Sequence, residues 1–212
     1  MKVIKVLLVD DHEVVRGGVK SFLSIDTEIR TVGEAESSEQ ALKLIEELDL
    51  DLVLMDLDLP GVSGWKTMHQ IKNIYPKLPV LIFSIFPETH YGIRLIKEGA
   101  AGYLSKNSSP QVIRDAIKIT ARGGRYVSPL LVDQLFDADG KSNKKSPHEI
   151  LSEREFQILF LILSGKKVKE ISEELNISVT TVSTHKGKIL EKMQMNNTTE
   201  LIRHAIKIGL IT

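Results

Sequence analysis

The chain has 212 residues, no cysteine, and 28 basic against 28 acidic residues. Without cysteine there is no disulfide framework, thiolate metal site or cysteine nucleophile, which fits a reducing cytosol. A composition of 42% hydrophobic and 26% charged residues is that of an ordinary soluble globular protein, with room for one large domain or two modest ones.

No apolar stretch approaches the roughly 20 residues needed to span a bilayer. The run from Val3 to Val9 is too short for a signal peptide and ends in Asp10 and Asp11. No membrane association is expected, and the cytoplasm is the expected compartment. The zero net charge hides an asymmetry: residues 1–121 are mildly acidic, and 122–147 and 148–212 mildly basic. That is far from the strong basicity that would itself announce nucleic-acid binding.

The first half alternates strands and helices. Val3–Val9 is a nearly continuous aliphatic run, as in a strand buried on both faces of a parallel sheet. Glu13–Leu23 follows with helical spacing, Thr31–Gly33 is a short strand, and Ser38–Leu48 is an amphipathic helix. Leu52–Met55 reads as strand, Gly64–Ile74 helix, Val80–Phe83 strand, Thr89–Lys97 helix, Gly102–Leu104 strand and Pro110–Thr120 helix, with Pro110 well placed at a helix start. Five such βα repeats predict a doubly wound α/β domain over 1–121.

In such sheets the ligand sits at the carboxyl ends of the strands. Asp10 and Asp11 end the first strand, Asp56 the third and Ser84 the fourth, and Lys106 follows the fifth. Any one of these residues alone is an ordinary turn former or surface charge; four strand ends in order are not. Clustered carboxylates repel unless a divalent cation neutralises them, and a hard cation such as Mg2+ suits oxygen ligands. One carboxylate is then free as a nucleophile, with an ammonium and a hydroxyl to hold phosphoryl oxygens. Gly140-Lys-Ser142 mimics the end of a phosphate-binding loop, but no glycine lies five residues before it and no strand precedes it.

Val9-Asp-Asp-His12, Met55-Asp-Leu-Asp-Leu-Pro-Gly61, Ser84 and Tyr103-Leu-Ser-Lys106 together resemble the receiver domain of the response-regulator superfamily. The resemblance implies that Asp56 is the phosphoacceptor. It implies that Asp11 and Asp56 bind Mg2+, with Asp10 nearby and the backbone carbonyl of Asp58 completing the protein ligands. Ser84 is then the switch hydroxyl, Lys106 the phosphate-binding lysine, and Tyr103 the switch aromatic that swings inward when Ser84 moves. A Tyr103 ring simply packed at a strand edge is the plainer alternative. Phe86 places an apolar ring near enough to shade the phosphate from water.

Arg122-Gly-Gly-Arg125 closes the fifth helix. Ser128–Phe136 can form one more helix, capped by Ser128 with Pro129 at its first position. Asp137–Pro147 has no apolar residue larger than alanine, the composition of a flexible tether. Residues 148–212 then hold four helical segments. Ser152 and Glu155 form a capping box before a stripe of Phe156, Leu159, Phe160 and Leu163, and Gly165 ends that helix. Val168–Leu175, a tight turn at Asn176-Ile-Ser178, Val179–Met193 and Thr198–Ile208 follow.

Two short helices, a turn and a longer polar-faced helix make a helix-turn-helix. Thr180, Thr181, Ser183, Thr184, Lys186 and Lys188 lie off the apolar stripe of the third helix, where they can meet phosphates and base edges in a major groove. An ordinary polar surface helix is the bland alternative. Leu151-Ser-Glu-Arg-Glu155, Gly165, Lys169-Glu-Ile-Ser172, Asn176-Ile-Ser178, Thr181-Val182 and His185 resemble the LuxR-type effector of NarL/FixJ-class regulators. Ser183 stands where that family often has lysine, and Gly187 where a longer polar side chain is common, so no target sequence is inherited. The six histidines show no metal-ligand spacing.

The whole pattern implies a two-component response regulator, not an enzyme. Phosphorylation of Asp56, with a sensor histidine kinase as donor, remodels the surface around Thr89–Leu104, and homodimerisation there, or release of the effector from the receiver, controls sequence-specific binding to promoter DNA. RNA polymerase is a candidate further partner. Two rivals stay open. One is a phosphorylation-independent DNA binder with a fixed dimerisation platform. The other is a small-molecule phosphotransferase, which leaves the DNA-binding tail unexplained.

Overall fold

A computed structural model describes residues 2–86, 88–129, 131–132 and 150–207, the side chains of Thr89 and His90 excepted. The tether expected over Asp137–Pro147 and the last residue expected in the final helix, Ile208, lie outside the described residues. So does most of the helix expected over Ser128–Phe136. Its start is described: the Leu131 and Val132 amides donate to the Ser128 carbonyl at 3.0 and 3.1 Å. The chain divides into two compact units, one within 1–141 and one within 142–212.

The first unit runs β1 (Ile4–Val9), α1 (Glu13–Leu23), β2 (Ile29–Ala35), α2 (Ser38–Glu47), β3 (Leu52–Met55), α3 (Gly64–Ile74), β4 (Val80–Ser84), α4 (Glu88–Lys97), β5 (Gly102–Ser105) and α5 (Pro110–Ala121). All neighbouring strands are parallel, in the order β2-β1-β3-β4-β5. The order reverses at β1, so its carboxyl end and that of β3 flank the switch-point crevice of a doubly wound sheet. The central strands are buried on both faces: Val6, Leu7, Leu52, Val53, Leu81 and Ile82 are wholly inaccessible. Each such side chain contributes about 1.5–3 kcal/mol by leaving water, and this holds the strand ends rigid. Helix starts are set locally. Ser37, Ser63 and Ser109 each accept from a backbone amide three residues on.

β2 is longer than the short strand expected at Thr31–Gly33. It pairs with β1 from Ile4↔Ile29 to Val9↔Ala35, with one register shift between Val6 and Leu7. An edge strand can carry Arg30 and Glu34 and still complete its ladder, so apolar periodicity understates its length.

The second unit contains α6 (Glu153–Leu163), α7 (Val168–Glu174), α8 (Val179–Lys192) and α9 (Thr198–Lys207). The expected capping box is present: the Glu155 amide donates to Ser152 Oγ at 3.4 Å and the Ser152 amide to Glu155 Oε2 at 2.8 Å. Instead of the expected stripe, every residue from Glu155 to Leu163 is buried. Gly165, at φ +85°, supplies the left-handed turn that ends α6. Arg154 reaches the Leu175 carbonyl at 2.9 Å. Lys192 meets Glu155 Oε2 at 2.7 Å, tying α6 to α8. Asn176, at φ +49°, makes the tight turn, and Ser178 caps α8. Among the described residues no helix is long and apolar enough to cross a membrane.

Candidate functional site

The chemistry of the first unit gathers at the β1–β3 crevice. The Asp56 amide bonds the Val9 carbonyl at 2.8 Å, and the Asp10 amide bonds Ala35 at 3.0 Å. The ladder therefore delivers both carboxylates to one rim. The Lys106 amide bonds the Ser84 carbonyl at 2.8 Å, which carries the lysine over the same rim. Its ammonium lies 2.6 Å from Asp10 Oδ2 and 2.7 Å from Asp56 Oδ2. Asp10 and Asp56 are 4% and 2% exposed, whereas Asp11 opens to solvent.

Burial dominates the electrostatics. It pushes the Asp56 carboxyl up to about 6, against the pull of the Lys106 ammonium, and the Asp10 charge adds to the rise. Burial alone would lower Lys106, but Asp56 and Asp10 outweigh it and hold the ammonium charged. Three carboxylates against one ammonium leave the crevice negative. Asp56 Oδ1 is buried without a hydrogen-bond partner. Ligand atoms of Asp10, Asp11, His12 and Asp56 all lie within 4.8 Å of one another. A negative, oxygen-rich, under-satisfied set of this size fits a hard divalent cation.

Sequence spacing missed His12. Its Nδ1 sits 2.7 Å from Asp11 Oδ1 and 3.3 Å from Asp10 Oδ1, so one histidine does stand beside the acidic set, contrary to expectation. Its position at the start of α1, directly after the two aspartates, was the available signal. Arg16 was also missed; it donates to the Asp10 carbonyl at 2.6 Å.

Ser84 is fully buried, and its Oγ accepts from the Phe86 amide at 3.3 Å. Tyr103 is also fully buried, with its hydroxyl donating to the Phe86 carbonyl at 2.8 Å. Burial pushes its phenol well above the ordinary range. Phe86 stacks on Tyr91, with ring centroids 5.0 Å apart. The Asp58 backbone faces the Asp56 carboxylate through its amide, which lowers the Asp56 pKa.

In the second unit, α8 buries Val182 and Ile189. Thr180, Thr181, Ser183, Thr184 and Lys188 are exposed and Lys186 is half-buried. Thr184 Oγ1 donates to the Thr180 carbonyl at 2.9 Å, and Thr181 Oγ1 lies 2.8 Å from Ser178 Oγ. His185 packs inward, its imidazole pKa lowered by burial.

A doubly wound sheet with an aspartate–lysine cluster at its switch point, followed by a helix-turn-helix unit, defines a response regulator, and the chain belongs to that family. Residues 6–118 match the response regulator receiver domain, and residues 149–205 match the bacterial regulatory proteins of the luxR family. The chain is 36% identical over 209 residues to the response regulator GacA of Pseudomonas syringae, covering 98% of each. It is 37% identical over 208 residues to the response regulator UvrY of Escherichia coli, covering 98% of this chain and 95% of that one. Among solved structures, RcsB of Salmonella typhimurium superposes with a TM-score of 0.69 at 23% identity over 98% of this chain and 99% of that one. The response regulator ChrA of a heme-sensing two-component system superposes at 0.52 with 29% identity over the whole of both chains. The protein is thus a two-component regulator of transcription with a receiver and a LuxR-type DNA-binding domain, not an enzyme. Its acidic pocket is of the kind at which receiver domains bind Mg2+.

Proposed function

We propose that Asp56 is the phosphoacceptor and that its phosphorylation controls pairing of the chain on promoter DNA. The observation that carries this is the Asp10–Lys106–Asp56 cluster, in which a buried carboxylate keeps one oxygen unpartnered. An Asp56 oxygen attacks the phosphorus of the donor. The bond from phosphorus to the donor breaks, the leaving group departs with its electron pair, and an acyl phosphate remains. For a sensor histidine kinase the bond broken is P–N. Lys106 exchanges its Asp56 contact for a phosphoryl oxygen. Asp10, Asp11, Asp56 and the Asp58 carbonyl would hold Mg2+, which when bound neutralises the incoming phosphoryl charge.

Ser84 then donates to a phosphoryl oxygen, and Tyr103 is retained in the buried position it already holds. The surface over residues 89–104 changes accordingly and favours a homodimer. Residues 1–121 act as the receiver, 122–147 join the two parts, and 148–212 bind DNA in the cytoplasm. Thr180, Thr181, Ser183, Thr184, Lys186 and Lys188 face the major groove. One of the solved RcsB structures that share this fold is a complex with DNA, which supports DNA as the ligand of the second unit. RNA polymerase is a proposed further partner of the bound dimer.

The parent and Asp56→Asn proteins are treated with acetyl phosphate and Mg2+ and weighed intact, and each is then titrated with a duplex selected from a random pool. The parent gains one phosphoryl mass and binds more tightly; the variant does neither. Equal labelling of the variant sinks the assignment. Tight binding without labelling favours the fixed-platform alternative.

A further inference from the structure

A polar cluster on the α3–α4 seam is joined to the switch residues by an unbroken line of contacts. Trp65, on α3, is 4% exposed, and its indole N–H donates to Glu98 Oε2 at 2.5 Å. His69, one turn on, places Nε2 3.0 Å from the same oxygen. Arg94, on α4, donates to Glu98 Oε1 at 3.0 Å and sets its guanidinium 4.6 Å above the Trp65 ring. Glu98 thus gathers an indole, an imidazole and a guanidinium, and these contacts hold its carboxyl below the usual range despite partial burial.

Inward from Trp65 lies Tyr91, edge-on at 6.1 Å, and then Phe86, stacked on Tyr91. Phe86 carries both switch contacts on its backbone, its amide on Ser84 Oγ and its carbonyl on the Tyr103 hydroxyl. Packed rings do not deform continuously; they move between discrete arrangements. A shift of Phe86 therefore has to be accommodated at Trp65, and a Trp65 pinned by Glu98 resists it.

We propose that Glu98 is a positioning residue: by clamping Trp65 it holds α4 against α3 in the arrangement with Tyr103 buried, and so raises the affinity of the Asp56 site for a phosphoryl group. This rests on the reading of Asp56, Ser84 and Tyr103 given above. If the phosphoryl group and the clamp favour the same arrangement, each strengthens the other by the same factor.

Beryllofluoride with Mg2+ serves as the phosphoryl mimic, and its affinity is measured by calorimetry on the full chain. Trp65 is the single tryptophan, so its emission reports the seam directly. In the parent, emission changes in step with mimic binding. Glu98→Ala weakens binding about fivefold or more, and Glu98→Gln, which can still accept from the indole, falls between. Glu47→Ala, on the exposed face of α2, leaves the affinity unchanged. If Glu98→Ala does not fold, Trp65→Phe keeps a benzene ring and loses the five-membered ring with its N–H, and the same weakening is read by calorimetry alone. Parent-like affinity in the folded variants overturns the proposal, as does a Trp65 signal that stays silent while calorimetry shows binding. A parent that binds no mimic at all refutes the Asp56 reading itself, and that result is visible before any Glu98 variant is made.

Discussion

Asp56→Asn should make the metal-free chain more stable above pH 7, although it removes one of the two ion pairs of Lys106. In the folded protein the Asp56 carboxyl titrates near 6, against an ordinary value of 3.8, chiefly because it is buried. A raised carboxyl pKa means that the folded state binds the proton more tightly than the unfolded chain does. The charged form is thus a liability in the fold, absent below about pH 4, growing as the pH rises toward 6, and fully present above 7. At about 1.4 kcal/mol per decade of acidity, the difference corresponds to roughly 3 kcal/mol as an upper figure. Asparagine has nearly the same shape and no charge, and Lys106 keeps Asp10 at 2.6 Å.

Trp65 lies in the first unit, so its fluorescence follows unfolding of that unit alone. In EDTA at pH 8 the urea midpoint of the variant should rise by roughly 1 M, given a slope of about 1–3 kcal/mol/M. At pH 4.5 the advantage should largely vanish. Adding Mg2+ should stabilise the parent and narrow the gap. A variant no more stable than the parent at pH 8, or a gain that ignores pH, would refute the reasoning.

Three other outcomes follow from the same geometry. A Cβ on Gly64 would lie 1.8 Å from the Asp56 carbonyl oxygen, so Gly64→Ala should cost about 1–3 kcal/mol and slow acetyl phosphate labelling; unchanged labelling would show that the Asp56 backbone does not depend on this close approach. Glu155 has its carboxyl lowered despite burial, chiefly by the Lys192 hydrogen bond and the Ser152 backbone; its contribution is present above about pH 4.5 and lost as the pH falls through the lower folded value. In Glu155→Gln, amide exchange in α6 and α8 should quicken at neutral pH by an opening free energy of about 1 kcal/mol, converging with the parent at low pH. Lys188→Ala should weaken duplex binding across sequences and reduce the salt slope by about 1 if the lysine meets a phosphate; affinity unchanged at every salt concentration would remove α8 from the groove.

The βα alternation was legible because both faces of the central strands are covered, so β1, β3 and β4 read as nearly continuous apolar runs, interrupted only by Lys5 in β1 and ended by Ser84 in β4. The Asp10, Asp56 and Lys106 cluster was legible for a related reason: a parallel sheet places every strand end on one rim, so order along the chain becomes proximity in space. β2 was under-read because it carries Arg30 and Glu34 at the edge. The Trp65–Glu98 contact was not legible at all. It joins residues 33 apart, one on α3 and one just past the end of α4, two helices whose relative rotation is set by packing, and no periodicity encodes that. His12 went unread because ligand spacing was sought between histidines rather than between one histidine and its neighbouring aspartates.

The buried cluster and the clamp place stability and responsiveness in opposition at one site. A carboxylate left with an unpartnered oxygen beside a second carboxylate destabilises the resting receiver, and evenly packed apolar side chains would hold that rim more firmly. The same deficit is what an arriving cation and phosphoryl group can relieve, so binding free energy appears as a change in the favoured arrangement rather than as tighter packing of one state. Relief at Asp56 moves the protein only if another element has two arrangements of similar free energy. The proposed clamp places that element at the α3–α4 seam: Glu98 is held by polar contacts, individually worth about 1 kcal/mol, while Phe86 and Tyr91 behind it are packed against one another. A seam of aliphatic side chains would resist Phe86 more strongly and leave Ser84 and Tyr103 fixed whether or not Asp56 carried a phosphoryl group.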